Sequence, residues 1–205
     1  MYTETIIDLI RHGEPEGGHK LRGSLDDPLS QLGWEQMQRS VQYTQPWQAI
    51  ITSPLSRCQT FASTLSSRLQ LPLEINEQFK EIHFGIWEGL KIKELMQKEP
   101  LALKNYWQNP SEHAPKDSEP MDDFLSRIHL AWQSLIKQQE GQHSLLVCHG
   151  GVIRAIIMHV LGMPKEHLWN VDVPYANASR LVYHHFQDGT FTAQLKFHQA
   201  YFPEA

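Results

Sequence analysis

Ile6-Ile7-Asp8-Leu9-Ile10-Arg11-His12-Gly13-Glu14 is a short apolar run that ends in an arginine, a histidine and a glycine. Such a run reads as a buried strand. In open α/β sheets, ligands bind at the carboxyl ends of strands. Gly13 permits a sharp turn and a close approach of backbone N–H groups to an anion. Arg11 offers a planar fork that suits phosphate oxygens. His12 offers an imidazole that attacks phosphorus or moves a proton.

A second stretch repeats this design. Ser144-Leu145-Leu146-Val147-Cys148-His149-Gly150-Gly151-Val152-Ile153-Arg154 is again an apolar strand that ends in a histidine and glycines and then opens a helix. A helix N-terminus preceded by glycines is suited to anions. If both strands are central and parallel, His12 and His149 reach the same edge of the sheet. Arg154 lies a turn further in and is read as structural.

Between these stretches the chain alternates strands and helices. Glu14 to Pro28 is a glycine- and proline-rich loop carrying Arg22, a residue within reach of a substrate. Ser30 reads as the N-cap of a helix running to about Tyr43. Ala49 to Thr52 is a second strand, and Pro54 suits the first position of a helix ending near Leu69. Arg57 falls in the first turn of that helix, where the dipole disfavours a cation, so an anion contact accounts for it better than helix stability does. Leu71 to Ile75 reads as a third strand. Glu81 follows among Phe79, Ile82, Phe84 and Trp87. An apolar wall raises a carboxyl pKa, which suits a general acid.

From Leu90 to Gln139 the pattern is helical, with a proline-punctuated break between Asn109 and Pro120. The segment of about 90–120 is expected to form a lid over the sheet. Its aromatics Tyr106 and Trp107 are assigned to packing more readily than to a substrate ring. Arg180 to Phe186 and Thr190 to Phe197 form a closing hairpin turned at Asp188-Gly189. His184 and His185 would point to opposite faces of their strand and so not share a metal.

Composition narrows the possibilities. At 205 residues, 40% of them hydrophobic, the chain suits one compact domain spanning 1–205. A net charge of -5 argues against broad electrostatic binding to nucleic acid. An acidic protein that binds phosphate must concentrate its cations locally. No apolar run is long enough to cross a membrane, since Arg154 and His159 interrupt the run from Val152 to Leu161. Two cysteines form no disulfide framework and suit a reducing compartment, so a cytoplasmic location is expected.

Several of these segments carry a family resemblance. They are Leu9 to Glu14, Asp27-Pro28-Leu29-Ser30, Thr52 to Arg57, Glu81 with Phe84-Gly85-Ile86-Trp87-Glu88-Gly89, and Cys148 to Arg154. Together they resemble the histidine phosphatase superfamily, also called phosphoglycerate mutase-like. The Phe84 to Gly89 run and Leu161-Gly162-Met163-Pro164 with Trp169 are similar to the alpha-ribazole phosphatases. The resemblance implies a three-layer αβα sandwich with a mostly parallel central sheet. It implies a metal-independent, cofactor-free phosphomonoesterase acting on a small-molecule phosphate ester. It also implies catalytic roles for His12, Glu81, Arg11, Arg57 and His149, and substrate contacts from Arg11, Gly13, Arg22, Arg57, His149 and Gly150. The alternatives are a broad phosphatase of sugar or other small phosphates, and a phosphoglycerate-type mutase. Against the mutase, Gly17-Gly18 stands where such enzymes usually carry Trp-Asn. Two departures touch the substrate rim: Gly18 replaces a common asparagine, and Asp117-Ser118-Glu119-Pro120 replaces a common Gly-Glu-Ser.

Overall fold

A computed structural model describes residues 2–43 and 45–204. Its described strands form one six-stranded sheet in the order β3-β2-β4-β1-β5-β6. These strands are β1 (Tyr2–Arg11), β2 (Ala49–Thr52), β3 (Leu73–Ile75), β4 (His143–Cys148), β5 (Ala178–Phe186) and β6 (Phe191–Gln199). The first four in space run parallel, and β5 and β6 add an antiparallel hairpin at the β1 side.

The two faces follow from side-chain alternation. Ile7, Leu9, Leu146 and Cys148 pack with Phe124, Ile128, Trp132, Ile153 and Ile156 on one face. Ile10, Leu145 and Val147 pack with Met37, Phe61 and Leu65 on the other. The first face is covered by α5 (Met121–Gln138) and α6 (Gly150–Leu161), the second by α1 (Gln31–Ser40) and α2 (Ser56–Leu69). This is the expected three-layer α/β arrangement. Burial on both faces explains why β4 reads as a continuous apolar run, with all six residues buried. Each buried aliphatic side chain contributes about 1.5–3 kcal/mol, and a one-residue slip would exchange the faces, so the register is firmly set.

The register fixes where the strand ends lie. Arg11 pairs with Cys148 across β1 and β4. His12 and His149 therefore leave the sheet at the same level, and His12 N donates to Cys148 O at 3.0 Å.

Some expected boundaries move. The helix after β2 begins at Ser56, with Leu55 as its cap residue, so Pro54 precedes the helix rather than opening it. The third strand is shorter than expected and starts at Leu73. Ser30 does cap α1, its side chain accepting from Gly33 N at 3.0 Å. The 90–120 segment holds α3 (Ile92–Lys98) and α4 (Pro100–Gln108), and its residues Ile92, Leu103, Tyr106 and Trp107 form part of a cavity wall. No described helix is long and apolar enough to cross a membrane.

Candidate active site

A cavity of about 260 Å³ opens at the carboxyl ends of β1 and β4. Its floor carries Arg11, His12, Arg57, Glu81, Gly150 and Gly151. The size suits a small ester rather than a polymer.

His12 is nearly fully buried. Its Nδ1 lies 2.7 Å from the carbonyl oxygen of Gly13. A carbonyl only accepts, so Nδ1 carries the proton and Nε2 is left with its lone pair. Burial, then the charges of Arg11 and Arg57, hold the His12 pKa well below its ordinary value. His149 is fully buried and stands edge-on to His12, ring centroids 5.2 Å apart. Its Nε2 lies 2.7 Å from Ser53 Oγ. Burial, Arg57 and His12 keep its pKa well below normal as well.

The arginines are anchored by carbonyl groups. Arg57 donates from Nη1 to Leu25 O at 2.6 Å and from Nη2 to Gly23 O at 2.8 Å. Asp26 meets the dipole that disfavours a cation there, since its Oδ1 accepts from Ser56 N at 2.6 Å. Arg11 donates to Val173 O at 2.6 Å. The Nε atoms of Arg11 and Arg57 are buried with no hydrogen-bond partner among the described residues. A buried unpaired donor costs about 1–3 kcal/mol, and an anion placed between these groups would remove that cost.

Glu81 is held from the opposite side. Its Oε2 accepts from Gly151 N at 3.1 Å, at the start of α6. Glu119 steadies the same segment indirectly. It binds Arg127 through two contacts of 2.9 and 2.8 Å, and Arg127 Nη1 donates to Lys80 O at 3.1 Å. Glu119 thus positions the Glu81 segment, and it does not line the cavity.

The remaining expected residues take less direct places. Arg22 lines the cavity, but its donors are engaged with Asp27 at 2.9 Å and with the carbonyls of Glu16 and Gly18 at 2.5 and 2.7 Å. Gly18, at φ +70°, holds Arg22 through its carbonyl oxygen and does not line the cavity. Gly13 is closed in against Gly33, and its carbonyl orients His12. His149 comes to the site but is not on the cavity wall.

Arg154, read from sequence as structural, lines the cavity. Tyr175 was missed altogether. Its ring lies 4.2 Å from the Arg11 guanidinium and 5.7 Å from the His12 ring. No local signal marks it, because it sits in the connection between α6 and β5 and meets Arg11 only in the folded chain. Tyr106 is buried against Trp87 and Trp169, whereas Trp107 is partly exposed, and both line the cavity. His184 and His185 point to Glu4 and Thr5 respectively. Among the described residues no three His, Cys, Asp or Glu side chains converge as a metal site would require. Cys58 and Cys148 are buried free thiols.

Known proteins resemble this chain in sequence and in fold. The sequence profile of the histidine phosphatase superfamily (branch 1) matches residues 7–195. The adenosylcobalamin/alpha-ribazole phosphatase of Escherichia coli (strain K12) is 33% identical over 172 residues, covering 80% of this chain and 83% of that protein. The glucosyl-3-phosphoglycerate phosphatase of Mycolicibacterium vanbaalenii is 31% identical over 182 residues, covering 83% and 80%. The crystal structure of the alpha-ribazole phosphatase from Shigella flexneri superposes with a TM-score of 0.79 at 28% identity, covering 98% of this chain and 99% of that one. The chain belongs to the histidine phosphatase superfamily and stands among its phosphatases.

Proposed function

We propose that the chain hydrolyses a small phosphate monoester in two steps through a phosphohistidine on His12, and that its substrate is α-ribazole 5′-phosphate. The observation that carries the chemistry is the 2.7 Å contact between His12 Nδ1 and Gly13 O, which leaves Nε2 as a buried, unprotonated nucleophile between two arginines. In the first step Nε2 attacks phosphorus, the ester P–O bond breaks, and Glu81 gives its proton to the leaving alcohol oxygen. In the second step water attacks phosphorus and gives a proton to Glu81, and the N–P bond breaks with its electron pair returning to Nε2. Arg11, Arg57 and the first turn of α6 hold the phosphoryl oxygens. His149 supports the cage from behind the cavity wall, as a neutral ring edge-on to His12 and held by Ser53.

A single acid or base contributes about 10²–10⁴ to the rate. Phosphate monoesters need accelerations approaching ~10²¹ in the extreme. Positioning and the charged cage must therefore supply most of the barrier reduction.

The substrate assignment rests on the 33% identity to the Escherichia coli protein and on the aromatic lining of Tyr106, Trp107 and Trp169. The buried free thiols suit a reducing compartment, and we place the reaction in the cytoplasm. The second reading is a broader phosphatase of sugar phosphates, favoured by the comparable identity to the Mycolicibacterium vanbaalenii protein. Measuring kcat/KM in EDTA for α-ribazole 5′-phosphate, p-nitrophenyl phosphate and 3-phosphoglycerate decides between them. A strong preference for α-ribazole 5′-phosphate is the expected result. Comparable low values would favour the broader reading, and no turnover of any ester would overturn both.

A further inference from the structure

Arg154 is a charged side chain of the cavity that the two-step scheme leaves without a task. It follows Gly150 by one turn of α6. Its Nε donates to Val171 O at 2.8 Å, which pins the inner edge of the guanidinium. Among the described residues this is its one hydrogen bond, and its outer nitrogens are unspent. Nη1 reaches the Gly150 backbone: a Cβ built there would lie 3.1 Å from it and 3.3 Å from Arg11 Nε. The next glycine meets Glu81 instead, since Gly151 N donates to Glu81 Oε2 and a Cβ at Gly151 would lie 2.3 Å from Oε1. Arg154 and Glu81 thus flank one two-glycine step at the start of α6.

That placement defines a side of the reaction. In an in-line displacement the nucleophile and the leaving oxygen occupy opposite ends. His12 serves one end and Glu81 the other. Arg154 Nη1 and Glu81 Oε1 meet adjacent glycines at the start of α6, and the Arg154 guanidinium also stands beside Trp169. Arg154 therefore belongs to the alcohol side. Trp169 continues that side, its ring centroid 5.5 Å from the Arg154 guanidinium. The Trp169 Nε1 is buried with no hydrogen-bond partner among the described residues. The unspent Arg154 nitrogens are donors suited to hydroxyl oxygens, and the lid aromatics Tyr106 and Trp107 line the same cavity.

We propose that Arg154 is a specificity-determining residue that binds the hydroxyl oxygens of a sugar-type leaving alcohol. The inference rests on the roles given above to His12 and Glu81. It is tested by measuring kcat/KM for D-ribose 5-phosphate and p-nitrophenyl phosphate with the full chain, Arg154→Met and Arg154→Lys. The ratio of the two values should fall about 10- to 100-fold in Arg154→Met, the scale of lost hydrogen bonds from a charged donor. Arg154→Lys should fall by less, because lysine keeps the charge and loses the fork. If Arg154→Met does not fold, the ratio in Arg154→Lys carries the test. Parallel loss on both esters would make Arg154 part of the phosphoryl cage and overturn the inference. An unaltered ratio would overturn it too, as would a parent enzyme that hydrolyses p-nitrophenyl phosphate and not ribose 5-phosphate. A parent that hydrolyses neither would instead sink the reading of His12 and Glu81.

Discussion

At the scale of single residues, the site is a device for keeping an imidazole neutral. His12 is active when unprotonated, and burial together with Arg11 and Arg57 lowers its pKa well below the usual 6.5. The acid limb of kcat/KM, where His12 takes up its proton, should therefore lie well below pH 6.5. An acid limb centred near 6.5 in the pH–rate profile would contradict this. Glu81 is predicted to be the proton donor, held by Gly151 N. Glu81→Gln keeps the shape and an acceptor for that bond, yet cannot give a proton. Its kcat should fall about 10²–10⁴-fold, while competitive inhibition by inorganic phosphate persists. Loss of both together would mean that Glu81 holds the cage rather than moves a proton. Arg11, His12, Arg57, Glu81 and His149 were legible in the sequence because each lies at a strand end, in a first helical turn or in an apolar run. Tyr175, Trp169 and the task of Arg154 were not, since their places depend on how the α6–β5 connection packs.

At the scale of elements, the loop after β1 and the start of α1 are pressed together through two glycines. A Cβ at Gly13 would lie 2.2 Å from Gly33 O, and one at Gly33 would lie 2.1 Å from Glu14 O. Neither glycine has a positive φ, so the demand is for space rather than for backbone freedom. Gly13→Ala should cost about 1–3 kcal/mol of stability by overpacking and should also cut activity, because the Gly13 carbonyl orients His12. Urea unfolding and turnover, measured on one preparation, check both; wild-type values would show that the contact yields easily. The Arg-His-Gly motif announced a glycine here but not its partner, because Gly33 sits inside a helix and nothing local marks it. The helix and strand positions themselves followed from periodicity. The start of α2 was misplaced because a proline suited to a first helical turn here stands before the cap.

At the scale of the whole molecule, a buried ionic hub ties the sheet to both ends of the chain. Asp8, in the middle of β1, accepts from Arg180 Nε at 2.7 Å and from Trp47 Nε1 at 2.8 Å, and lies 2.9 Å from His143 Nε2. Burial works to raise its pKa, but Arg180 and His143 outweigh it, and the net shift is downward. The folded state therefore binds fewer protons here than the unfolded chain, whose Asp titrates near ~3.9. The hub's contribution is complete above that value and is lost as pH falls through the lowered pKa. Asp8→Asn should cost about 3 kcal/mol in urea unfolding near neutral pH, the low end for breaking a buried pair because Arg180 is partly exposed. It should also flatten the acid-side loss of stability. An Asp8→Asn protein as stable as the parent would show that the hub specifies register without stabilising it. The sequence showed a lone aspartate in an apolar strand and no hint of its partners, which arrive from positions 47, 143 and 180.

These scales meet in one claim, that His12 carries the phosphoryl group between substrate and water. Rapid quenching of the enzyme with a phosphorus-labelled ester, followed by peptide mapping, tests it most directly. An acid-labile, base-stable phosphoryl group on the peptide containing His12, absent from His12→Ala, is the predicted result. Turnover with no label on any histidine at any quench time would contradict it and point to direct attack by water.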